Sequence, residues 1–128
     1  MEFVNGSGLQ VLQQIPLFDV FTAEEKQLLA EQLQPGSYDM GQTIVGMDGA
    51  SDSFYIVVSG QARKIGISPA GKEMNLGLLQ PGEHFGEHSL LEDQTPPPYI
   101  VRASTPLEVL RISRSRFKSM VAEHPAIS

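Results

Sequence analysis

Ser53-Phe54-Tyr55-Ile56-Val57-Val58-Ser59-Gly60 is a short apolar run rich in aromatic and β-branched side chains, closed by a Ser-Gly turn. Such runs bounded by turn residues favour strands over a helical bundle. The same pattern recurs on either side. Thr43-Ile44-Val45 precedes it across Asp48-Gly49, Ala62 to Ile67 follows it, and Met74 to Leu79 lies beyond Pro69-Ala70-Gly71. With Leu107 to Ile112 as the last run, the text from Tyr38 to about Ile112 reads as a strand-rich core punctuated by turns.

The flanks carry a different period. Asn5-Gly6-Ser7-Gly8 reads as a flexible start, and Ile15-Pro16-Leu17-Phe18 as a short apolar segment. Thr22-Ala23-Glu24-Glu25 has the spacing of a capping box, with Leu28, Leu29 and Leu33 as the apolar stripe of the helix it opens. Gln34-Pro35-Gly36 is a stop signal. At the other end Ser113 is placed to cap a helix running through Phe117, Met120 and Val121 to His124-Pro125. Leu33-Gln34-Pro35-Gly36 and Leu79-Gln80-Pro81-Gly82 echo one another, each with a further glycine shortly after it, Gly41 and Gly86; two Greek keys of a jelly roll could carry such an echo.

Composition narrows the function classes. A chain of 128 residues, 41% hydrophobic, suits one domain with a real core. It has no cysteine, which removes disulfides, zinc-thiolate sites and thiol catalysis. No apolar stretch approaches the ~20 residues of a membrane span, and Met1–Gln14 lacks the pattern of a signal peptide, so a cytoplasmic protein is expected. A net charge of −6 with scattered acids argues against nucleic acid as a direct partner. The one basic cluster, Arg111, Arg114, Arg116 and Lys118, reads as a solvated face or as a contact for a neighbouring domain.

The chemistry-bearing stretch is 82–103. Phe85-Gly86-Glu87-His88-Ser89-Leu90-Leu91 follows a strand and a Pro-Gly turn. Glycine lets an anion approach the backbone, a short helix beginning there would aim amides at it, and Glu87 is placed to accept from a sugar hydroxyl.

These pieces taken in order resemble the cyclic-nucleotide-binding domains found in the catabolite activator protein, the protein kinase A regulatory subunit and gated channels. The resemblance rests on Ile15–Phe18 with the capped helix, Ser53–Gly60, Gly71-Lys72-Glu73, Leu79–Glu87, and Val101-Arg102-Ala103 before Leu110-Arg111-Ile112. It implies a mainly β fold, an eight-stranded jelly roll with flanking helices. One domain spans 1–128, with a helical segment at about 9–36, the jelly roll at about 37–112 with a phosphate-binding cassette at 82–103, and a helix at about 113–124. It further implies that Phe85, Gly86 and Glu87 lie at a ribose site and that amides of His88 and Ser89 meet phosphate. The family's arginine is not matched: Pro97 stands in its place, followed by Pro98 and Tyr99, and Pro98 offers no amide proton. Charge-assisted hydrogen bonds are worth ~1.5–3 kcal/mol each, so this loss implies cyclic nucleotide binding weaker by roughly a hundredfold or more. A shifted register would use Arg102 instead; otherwise Arg102 is an outward or rim charge on its strand.

Other readings of the same residues are poorer. His84-x-x-Glu87-His88 matches an inverted zinc-protease pattern, but Pro81-Gly82 and Gly86 break the helix that chemistry needs. A metal-binding cupin wants a His-x-His that is absent, and no Gly-x-Ser-x-Gly elbow supports a catalytic triad. Glu87 could merely cap a short helix, and Tyr99 could be packing rather than a base-stacking platform. The expectation is therefore a non-enzymatic regulatory domain with no obligatory cofactor. Its possible ligand is cAMP, cGMP or a related small anion, and it signals to an attached effector domain or partner protein; a homodimer is a further expected assembly. The alternative is a degenerate domain that binds no nucleotide and serves as a structural or interaction module.

Overall fold

The computed structural model describes residues 5–45, 53–90 and 99–123. Two helices open the chain, α1 (Asn5–Gln13) and α2 (Ala23–Gln32), separated by a 3-10 turn at Pro16–Phe18. The described residues then form eight strands: β1 (Gln34–Tyr38), β2 (Thr43–Val45), β3 (Ser53–Ser59), β4 (Ala62–Ile67), β5 (Glu73–Leu79), β6 (His84–Phe85), β7 (Tyr99–Ala103) and β8 (Leu107–Ser113). Helix α3 (Arg114–Glu123) follows without a break. The strands pair antiparallel in two sheets, ordered β1-β8-β3-β6 and β2-β7-β4-β5. This interleaving is that of a jelly roll.

Strand periodicity explains the layering. Successive residues of β3 point to opposite faces, so Tyr55 and Val57 enter a core between the sheets with Ala62, Phe85, Val101, Leu107 and Val109. Phe54 and Ile56, with Ile112 of β8, enter a second core with Leu12, Ile15, Phe18, Leu29 and Met120 from the helical side. A strand covered on both faces needs apolar residues at every position, which is why its text lacks alternation. The capping box forms as expected: the Glu25 amide donates to Thr22 Oγ1 at 3.1 Å, and the Thr22 amide donates to Glu25 Oε1 at 2.7 Å. Ser113 Oγ likewise accepts the Arg116 amide at 3.1 Å and caps α3.

Three expectations are corrected. Asn5–Gly8 is not a loose start but the first turn of α1, because Gly8 is buried against Ala30 and Leu33 of the second helical segment and packing overrides weak helix propensity. The helical segment does not run to residue 36: Gln34-Pro35-Gly36 belongs to β1, which among the described strands lies at a sheet edge and pairs with β8 alone, where a missing proline donor is tolerated. The echo is not a structural repeat either, since Gln34–Gly36 lies on a strand while Pro81-Gly82 forms a turn, with Gly82 at φ 93°. The Asp48-Gly49 turn and His124-Pro125 lie outside the described residues.

Candidate functional site

The site is built where β6 leaves the sheet. Phe85 is fully buried in the inter-sheet core, its ring stacked on Tyr55 at 4.7 Å between centroids. Gly86 follows with φ 84°, and a Cβ there would overlap the Ser53 carbonyl oxygen of β3. Glycine is therefore required twice, for the left-handed backbone and for close approach. The sequence reading assigned that approach to a bound anion; in the structure the partner is the backbone of β3.

A 3-10 turn, Glu87–Leu90, continues from Gly86. Ser89 is 1% exposed, and both its amide (3.0 Å) and its hydroxyl (2.7 Å) donate to the Gly86 carbonyl. The Ser89 amide, expected to face phosphate, is thus committed to holding the turn. His88 is half-buried, and its Nε2 has no hydrogen-bond partner among the described residues. At the end of the turn, Leu90 packs against the helical core that includes Phe117, Met120 and Val121 of α3.

The Glu87 carboxylate is about one-third exposed and accepts a hydrogen bond from His84 Nδ1. Burial pushes its pKa up, but the His84 hydrogen bond, its own backbone amide and the positive charges of His84 and Lys64 outweigh that effect and hold it below the ordinary 4.5. His84 rests against the Phe54 ring, 5.5 Å between centroids. This support was not read from the sequence, although the i,i+3 spacing of His84 and Glu87 was visible within the rejected zinc pattern. Those two histidines lie on different elements, His84 on β6 and His88 on the 3-10 turn.

Across the interior, Tyr99 opens β7, half-buried against the inter-sheet core. Burial raises its phenol above the ordinary 10.0, a hydrogen bond with the Gly86 backbone opposes this, and the charge of Glu87 adds to it. The Lys64 Nζ stands 4.7 Å from the centre of the Tyr99 ring. Lys64 points inward because it is in register with Val101, which is fully buried, and shares the face of Ala62 two residues earlier. The sequence reading missed Lys64, although its step of two from Ala62 carried the signal. Arg102 does not reach this space; it pairs with Glu73 across the outer face at 3.2 Å. Pro97 and Pro98 lie outside the described residues.

Phe85, Gly86, Glu87 and Tyr99 are therefore brought together on the inner side, with Lys64 added, while Ser89 serves the turn itself. Among the described residues no group of three metal-ligating side chains converges, and no helix is long and apolar enough to cross a membrane.

Comparison with known proteins gives a consistent match. The sequence profile of the cyclic nucleotide-binding domain matches residues 35–124. A CRP-like cAMP-activated global transcriptional regulator from Mycobacterium tuberculosis is 33% identical over 102 residues, covering 78% of this chain and 44% of that protein. The cAMP-dependent protein kinase regulatory subunit of Blastocladiella emersonii is 27% identical over 110 residues, covering 86% of this chain and 27% of the other. This chain thus spans less than half of either relative. In structure, the regulatory domain of Toxoplasma gondii protein kinase A, crystallised with cAMP, superposes with a TM-score of 0.80 at 25% identity, over 93% of this chain and 46% of that one.

Proposed function

The chain belongs to the cyclic nucleotide-binding domain family, and from that premise we propose that it is a ligand-sensing regulatory module rather than an enzyme. Its ligand is a cyclic nucleotide such as cAMP or cGMP, held weakly between the inner sheet face and the 86–90 turn. The observation that carries this reading is the turn itself: a buried, left-handed Gly86 followed by a Glu87 carboxylate kept ionised beside the interior. An ionised carboxylate accepts strongly from paired sugar hydroxyls. A relative activated by cAMP and a neighbour crystallised with cAMP support the ligand class.

Signalling follows from how the turn is anchored. Phe85 belongs to the core between the sheets and Leu90 to the core under α3. A ligand that orders the turn would change the packing offered to Phe117, Met120 and Val121, and so the position of α3 relative to a cytoplasmic effector domain or partner protein.

Thermal-shift titration of the whole chain with cAMP, cGMP and cyclic dinucleotides tests the reading. A dissociation constant of about 100 µM would give about 1.4 kcal/mol at 1 mM ligand, which is roughly 5 °C for a domain of this size. No rise in Tm with any of them at millimolar concentration refutes ligand sensing and leaves a purely structural or interaction module.

A further inference from the structure

A nucleotide phosphate brought between the sheets loses water and needs a positive partner there. The described cations are placed very unequally for that task. Arg102 lies on the outer face and is spent on Glu73, and Lys26 pairs with Asp19 at 3.9 Å. Arg111 is exposed and donates to the Tyr38 hydroxyl at 3.0 Å. Lys64 differs from all three. It points between the sheets, is half-buried, and has no ion pair within 4 Å among the described residues; its amine stands 4.7 Å from the centre of the Tyr99 ring, and its charge is felt by Glu87.

We propose that Lys64 of β4 takes the phosphate charge of the bound nucleotide, reaching across the interior toward the 86–90 turn, with the Tyr99 ring as the platform that aims its amine. The inference rests on the reading that the chain binds a cyclic nucleotide. Its geometry is fixed on two sides. Lys64 is in register with Val101 on one neighbouring strand and with Gly77 on the other, so no side chain from position 77 competes for the space beside it. Tyr99 in turn is tied to the Gly86 backbone, which couples the cation's platform to the turn that holds the sugar. An aromatic face holds an ammonium loosely and leaves its N–H donors available. A phosphate oxygen is the stronger partner and would draw the amine off the ring without breaking an ion pair.

The test is calorimetric titration of the full chain, its Lys64→Gln and Lys64→Arg variants with cAMP and cGMP, and with adenosine and guanosine as uncharged probes. Loss of one charge-assisted hydrogen bond predicts that Lys64→Gln weakens the cyclic nucleotide about tenfold or more, leaves nucleoside binding unchanged, and that Lys64→Arg retains most of the affinity. If the unaltered chain binds and Lys64→Gln binds equally well, the role of Lys64 is overturned while the ligand reading stands. An equal loss for nucleotide and nucleoside also overturns it, because the effect is then on the pocket and not on charge. If the unaltered chain binds none of these ligands, both fail. Lys64→Met, of similar length and apolar, replaces the glutamine variant if the latter does not fold as judged by its Tm.

Discussion

Gly86→Ala is the substitution for which the structure supplies the most specific expectation. Two costs add at this position. An L-residue at φ 84° is strained, at about 1–2 kcal/mol. The new Cβ would also overlap the Ser53 carbonyl oxygen and lie 3.4 Å from Tyr55 Cδ1, so β3 or the turn must yield, at a further 1–3 kcal/mol typical of overpacking. The central expectation is about 3.5 kcal/mol. For 128 residues the unfolding entropy is about 0.27 kcal/mol/K, so each kcal/mol moves Tm by about 4 °C and the variant should melt about 13 °C lower. Gly41→Ala separates the two costs, because Gly41 has φ 87° but nothing within 4 Å of its would-be Cβ; it should lose only the backbone part, about 4–7 °C. Differential scanning calorimetry of the two variants beside the unaltered chain reads the difference directly. Equal melting points for Gly86→Ala and Gly41→Ala would refute the claim that close packing on β3 demands glycine at 86.

Three further outcomes are expected. Ser89→Ala removes the buried hydroxyl that donates to the Gly86 carbonyl at 2.7 Å and should cost about 1 kcal/mol, or about 4 °C in Tm; an unchanged Tm would mean the hydroxyl does not hold the turn. Thr22→Ala removes the hydroxyl that accepts the Glu25 amide while the residue-22 amide can still donate to Glu25, and should cost about 0.5–2 kcal/mol by urea denaturation, whereas Thr22→Ser should lose little. The Glu87 pKa lies below its unfolded value, so its contribution to stability is present above pH 4.5 and is lost as pH falls through the folded value. His84→Ala removes the hydrogen bond and the charge that lower it while part of the burial remains, so the Glu87 carboxyl should titrate at higher pH by NMR; identical titration in both proteins would contradict the assigned cause.

Strands β2 to β5 and β8 were legible because turn residues bound their apolar runs, and because β3 carries apolar side chains for two cores at once. The two helix caps were legible because a cap is local: Thr22 and Glu25 are three apart, as are Ser113 and Arg116. What escaped the sequence depends on distant partners. Gly8 becomes helical through contacts 22 and 25 residues away, at Ala30 and Leu33, and Pro35 sits in a strand only because that strand is an edge. At the site, Gly86 was singled out for an approaching anion, whereas the requirement the structure shows comes from Ser53, on another strand. Lys64 was overlooked for the opposite reason. A lysine reads as surface by type, and only its step of two from Ala62, with Val101 beside it, turns it inward.

The 86–90 turn is anchored at both ends in different cores. Its entry residue, Phe85, is stacked on Tyr55 within one core, and its exit residue, Leu90, packs with Met120 in the other. Between them, Gly86 is pressed on β3, and Ser89 closes the turn with two hydrogen bonds to a single carbonyl. Packed interiors tolerate little independent displacement. A shift of the turn toward the inner face must therefore slide Phe85 over Tyr55 or repack Leu90 beneath α3. The first is resisted by a fully buried ring held by strand pairing between Tyr55 and Phe85. The second costs less, because Leu90, Phe117 and Val121 are only partly buried, so a displacement of this turn would be taken up at α3 before the sheets.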